Sequence, residues 1–175
     1  MSNSYFRWIN KLASFAVIFA CLLVSTHAQS AEIKLTPREI AKNTLPSVVL
    51  VVIETNGPEA LRYGSGFFVR EDVIATNYHV VKGARRGIVK IVGKDQAYEV
   101  LGLVGVDESG DLALLKLKGV KGTPLLIDQY DSIGIGDAIF AVGNPKGLEG
   151  TFSQGIVSSL RKEGGKNLIQ ITASI

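Results

Sequence analysis

The sequence predicts an all-β fold, an antiparallel sandwich or barrel, on three observations. Short runs rich in β-branched and apolar residues recur at near-even spacing through most of the chain. Glycine-containing turns separate them, at Asn56-Gly57, Gly93-Lys94 and Gly164-Gly165. No helical periodicity is long enough to serve as the crossover of a parallel βαβ unit.

In chain order, the first structured element is a short helix. Thr36 is placed to cap it, Pro37 suits the first helical position and Glu39 completes a capping box, with an end near Pro46. The strands then follow as Val48 to Ile53, Gly66 to Val69, Val73 to Thr76, Ile88 to Val92, Tyr98 to Val106 and Leu112 to Leu117. Lys118 to Asp131, rich in turn residues, reads as a join between two halves. Three more strands are predicted at Ala138 to Val142, Phe152 to Leu160 and Leu168 to Thr172.

Ahead of these lies a segment of different character. Arg7 and Lys11 precede an almost wholly apolar run from Leu12 to Ser25, and Thr26-His27-Ala28 follows. That is the order of a secretory signal peptide, with cleavage expected after Ala28; an uncleaved anchor is the alternative, although the run is shorter than the roughly 20 residues a bilayer span needs. Export to the periplasm or to the medium is therefore expected. The single cysteine, Cys21, falls inside this run. Phe19, bulky and two positions before it, weakens a lipid-attachment reading. The exported part then holds no disulfide and relies on a packed core.

Arg7 and Lys11 supply two of the three net positive charges, which leaves about +1 for the exported part and no basic face for nucleic acid. With one histidine, no cysteine and no paired carboxylates at ligand spacing, that part offers no metal site. Gly143 to Gly147 lacks the spacing of a phosphate-cradling loop. No cofactor is implied.

Three segments carry candidate chemistry. Gly64-Ser65-Gly66-Phe67-Phe68-Val69 runs on to Thr76-Asn77-Tyr78-His79-Val80; Asp111-Leu112-Ala113-Leu114-Leu115-Lys116 follows; Gly143-Asn144-Pro145 leads to Gly155-Ile156-Val157-Ser158. His79, just beyond a strand, is the one exported side chain whose unperturbed pKa suits acid–base work near neutral pH. Asp111, at the start of a strand, could reach an imidazole and orient it. Each also has a plain structural use: a histidine after a strand as a surface or packing group, an aspartate at a strand start as a turn former.

Taken in series, these motifs resemble the protease domain of HtrA-type bacterial serine proteases, a branch of the chymotrypsin/trypsin clan, from about Pro46 to Ile175. The resemblance implies a trypsin-like double antiparallel β-barrel: an extension with a short helix at 29–45, a first barrel at 46–120 and the start of a second at 121–175. It implies a serine endopeptidase acting on peptides or unfolded proteins through an acyl-enzyme. His79 is the general base and later the general acid, and Asp111 its orienting carboxylate. The family's nucleophile stands in a Gly-x-Ser-Gly-Gly-Pro turn soon after the strand matched by Leu168 to Ile175, and no residue up to Ile175 forms that motif. The given sequence is thus expected to be cut short before the nucleophile, with an incomplete second barrel and no activity of its own. Ser65, Ser153, Ser158 and Ser159 lie within predicted strands rather than on a sharp glycine-rich turn, so none is expected to replace it. The alternative is a non-catalytic, protease-like binding module, or pseudoprotease.

Overall fold

The computed structural model describes residues 35–56 and 60–174; the segment expected to be a signal peptide and part of the turn at Asn56-Gly57 lie outside them. Helix α1 spans Pro37–Thr44 and begins with the expected capping box. The Thr36 hydroxyl accepts from the Glu39 amide at 3.3 Å, and the Glu39 carboxylate accepts from the Thr36 amide at 2.8 Å. A 3₁₀ turn at Leu45–Ser47 then hands the chain to the first strand.

Six strands close into a barrel: β1 (Val48–Thr55), β2 (Leu61–Arg70), β3 (Val73–Thr76), β4 (Ala84–Ile91), β5 (Ala97–Asp107) and β6 (Leu112–Leu117). Around the barrel the order is β1-β2-β3-β6-β5-β4, every pair antiparallel. The fold is all-β, as expected. The alternation along each strand sends one set of side chains inward. Val49, Val51, Ile53, Phe68, Ile74, Val89, Leu115 and Leu117 fill the centre and are almost wholly buried.

Two strands start well before the position the sequence suggests, while the others begin within two residues of it. β2 begins at Leu61 rather than Gly66, and β4 at Ala84 rather than Ile88. Neither extension is β-branched. Both are drawn into the sheet by β1, whose far end pairs with Leu61 through Glu54 and with Ala84 through Thr55. Ladder hydrogen bonds here override weak local propensity.

Beyond the barrel, β7 (Ala138–Gly143), β8 (Thr151–Glu163) and β9 (Lys166–Ile171) form a three-stranded antiparallel sheet in that order. The long β8 serves two partners, pairing with β7 through Thr151 to Ile156 and with β9 from Val157 onward. This is a partial second sheet beside a complete barrel.

Phe68 is fully buried at the barrel centre. Phe68→Ala should cost about 3–5 kcal/mol, as expected for an aromatic ring removed from a packed core. The check is a lower urea midpoint at unchanged transition slope.

Candidate active site

His79 does not sit in an open loop. A four-residue helical turn, α2 (Tyr78–Val81), leaves β3 and carries it. Such a turn presents amide donors at its start that no intrahelical carbonyl satisfies. Asn77 occupies the capping position, yet its side chain makes no cap. Asp111 satisfies the donors instead. Its backbone carbonyl accepts from the Tyr78 amide at 3.1 Å, and its carboxylate Oδ1 accepts from the His79 amide at 2.8 Å.

The second carboxylate oxygen is left for the ring. His79 Nδ1 lies 2.7 Å from Asp111 Oδ2. An ionised carboxylate only accepts, so Nδ1 carries the proton and Nε2 is the basic nitrogen of the neutral ring. Among the described residues nothing hydrogen-bonds to Nε2. Asn77 Nδ2 donates to the same Oδ2 at 3.1 Å and to the Asp111 carbonyl at 3.2 Å.

Asp111 reaches this position by an unusual backbone. Its φ is +54°, the only positive value among the described residues that are not glycine. Aspartate tolerates the left-handed region better than most residues. The turn before it is built by Asp107, whose carboxylate accepts from the Ser109 hydroxyl at 2.8 Å and the Gly110 amide at 2.9 Å. From there β6 runs against β3, pairing Ala113 with Thr76. The ladder sets both ends of the His79–Asp111 contact.

The hydrogen bonds also set the charge state. The His79 amide, the His79 ring and the Asn77 amide group hold the Asp111 carboxyl below its ordinary value, against a weaker desolvation effect. The His79 side chain is 69% exposed and that of Asp111 42%. The pair faces solvent, and hydrogen bonds rather than burial define its geometry. A cavity of 420 Å³ opens alongside it, lined in part by Gly66, Phe67, Asn77, Leu112 and, from β7, Phe140.

The structure thus joins His79 and Asp111, the two residues singled out by sequence. Ser65 lines the same cavity but makes no hydrogen bond to His79; its hydroxyl accepts from the Asn144 amide at 2.8 Å. Ser153 and Ser158 donate to the carbonyls of Ser174 and Gln170 within the second sheet. Two contributors carried no role in the sequence reading. Asn77 could have been suspected as a cap-type residue at a helix start. Asn144 had only a loop signal, and it ties the second sheet to the barrel. It is buried, its Nδ2 donates to the Val49 carbonyl at 2.8 Å, and its Oδ1 accepts from the Gly150 amide at 2.9 Å.

Asn144→Ala should cost about 1–3 kcal/mol, because it leaves a β1 carbonyl and a loop amide unpaired; a thermal melt reads it. Asp111 makes a pH prediction. A carboxyl whose pKa is lowered in the fold adds stability that is fully present above its unfolded value and is lost as pH falls through the native one. Stability measured by urea titration should therefore fall on acidification below about pH 4, and Asp111→Asn should flatten that limb.

Comparison with known proteins gives the family. Residues 64–175 match the family model described as a trypsin-like peptidase domain. Curated relatives include the anti-sigma-I factor RsgI9 of Acetivibrio thermocellus, 38% identical over 74% of this chain and 18% of its own length. Serine protease HTRA1 of Xenopus laevis is 38% identical over 60% of this chain and 23% of its own. The probable periplasmic serine endoprotease DegP-like of Chlamydia trachomatis is 36% identical over 62% and 21%. The chain spans about a fifth of the length of these relatives. With the match covering more than half of the chain, this protein belongs to the trypsin-like peptidase domain family, and HtrA-type proteases are among its relatives.

Proposed function

We propose that this protein is a serine endopeptidase in which His79 is the general base and Asp111 its orienting carboxylate. The observation that carries the reading is the double grip of one carboxylate on His79, at the backbone amide and at Nδ1. It fixes the tautomer in which Nε2 can accept a proton.

In this reading a serine hydroxyl approaches Nε2, gives up its proton there and attacks the scissile carbonyl carbon. The imidazolium that forms is stabilised by Asp111 and returns the proton to the leaving amine. Water then hydrolyses the acyl-enzyme by the same proton relay in reverse. The nucleophile is assigned to the Gly-x-Ser-Gly-Gly-Pro turn that the family carries after the segment matched by β9. Residues 1–175 alone, which lack that turn, are proposed to be inactive.

The substrates proposed are peptides and unfolded proteins in an exported compartment. The charged-then-apolar order of residues 1–28 and the periplasmic description of the Chlamydia relative support this. Among the described residues no helix is long and apolar enough to cross a membrane.

A second reading takes its support from RsgI9, named as an anti-sigma factor rather than a protease. Here the barrel is a non-catalytic binding module, and the His79–Asp111 pair only braces α2.

The test is a fluorophosphonate probe, applied to the product of the native gene. The protease reading expects stoichiometric labelling, its loss in His79→Ala, and a rate about 10⁴-fold lower in Asp111→Asn. A well-folded product that takes no label refutes it and leaves the binding module.

A further inference from the structure

We infer that Arg62 is a positioning residue for His79, acting through the backbone of α2; the inference rests on the His79–Asp111 reading above. Its guanidinium Nη1 donates to three carbonyls at the end of that turn: His79 at 2.7 Å, Lys82 at 3.1 Å and Val80 at 3.3 Å. One nitrogen has two hydrogens, so at least one of them is shared between carbonyls.

The last carbonyls of a helical turn lack intrahelical partners and carry partial negative charge. A cation that reaches several of them closes the turn as a C-terminal cap does. Arg62 is half-buried on β2, opposite Ile53 of β1. Side chains two apart on a strand share a face, so Arg62 and Gly64 both look toward α2. Gly64 supplies the room. A Cβ there would stand 2.7 Å from both γ-carbons of Val80. Arg62 supplies the hold.

The backbone N–H and C=O of His79 are therefore both held by side chains. Asp111 takes its amide at 2.8 Å, and Arg62 takes its carbonyl at 2.7 Å. This matters because the His79 side chain is largely exposed and packing does little to orient it. The direction in which the ring leaves the backbone is set by that grip, and so is the contact of Nδ1 with Asp111. Removing the guanidinium should let α2 fray at its C-terminal end and swing the ring, without opening the barrel.

Arg62→Met keeps the aliphatic stem and removes the donors. Arg62→Lys keeps the charge and three donors but not the planar fork. Two readouts apply. In proton NMR of the full chain, the low-field Nδ1 proton of His79, assigned by its absence in His79→Ala, should broaden or disappear in Arg62→Met and partly return in Arg62→Lys. In the native gene product, fluorophosphonate labelling should slow by about tenfold to a hundredfold in Arg62→Met at unchanged stoichiometry.

A wild-type product that takes no label defeats the protease reading, and the NMR arm still decides the clamp. A labelling wild type with Arg62→Met at the wild-type rate and an intact Nδ1 signal defeats the clamp alone. Loss of a cooperative melt in Arg62→Met also overturns it, since Arg62 would then hold the barrel rather than the ring. So does a folded Arg62→Lys chain with no recovery.

Discussion

The arrangement depends on a single carboxylate that does two jobs. Asp111 caps the turn carrying His79 and binds the imidazole of the same residue. Had Asn77 capped α2, as its position suggests, the Asp111 carboxylate would have had one fewer reason to lie there. Instead Asn77 donates to Asp111 and orients it. A strained backbone at φ +54° is tolerated because five hydrogen bonds converge on this residue's oxygens, from the amides of Tyr78 and His79, the His79 ring and, twice, Asn77. The helical turn and the charge state of the carboxylate share this one cause.

The rest of the structure places that residue. β3 and β6 are neighbours in the barrel, and their pairing brings the end of one strand beside the start of the other. The apolar interior built on Phe68, Ile74 and Leu115 holds the ladder rigid. Polar links join the second sheet to this frame: Asn144 to Val49 and Ser65, and Lys90 to Glu149 at 2.7 Å. Such bonds are directional, so they define an orientation as well as a contact.

Much of this was legible in the sequence because the strong signals are local. Thr36, Pro37 and Glu39 announce a helix start through hydrogen bonds three residues apart. Val73 to Thr76 and Leu112 to Leu117 have the bounds the sequence predicts because, Lys116 apart, their side chains are β-branched or apolar and their ends are turns. The early starts of β2 and β4 were not legible. Leu61 to Gly64 and Ala84 to Gly87 become strand only because β1 lies beside them. His79 and Asp111 stood out by residue type and by resemblance, whereas Arg62, 17 residues from His79, gave no sequence sign of the carbonyls it meets. Contacts across strands depend on register, and register is not written in either segment alone.

The described hydrogen bonds that hold His79 and Asp111 in place come from Arg62, Asn77, Tyr78, Glu108 and the two residues themselves, all on the strands and turns of the six-stranded barrel. The second sheet reaches only the neighbouring turn, where Lys166 of β9 donates to the Ser109 carbonyl. The direct hydrogen bonds of the His79–Asp111 pair are therefore made within one half of the fold. In the proposed protease, loss of the nucleophile from the other half would remove none of the hydrogen bonds that orient His79. Selection could then keep a barrel with an oriented imidazole as a recognition scaffold long after cleavage had been lost, and descendants of both kinds would share the same dyad.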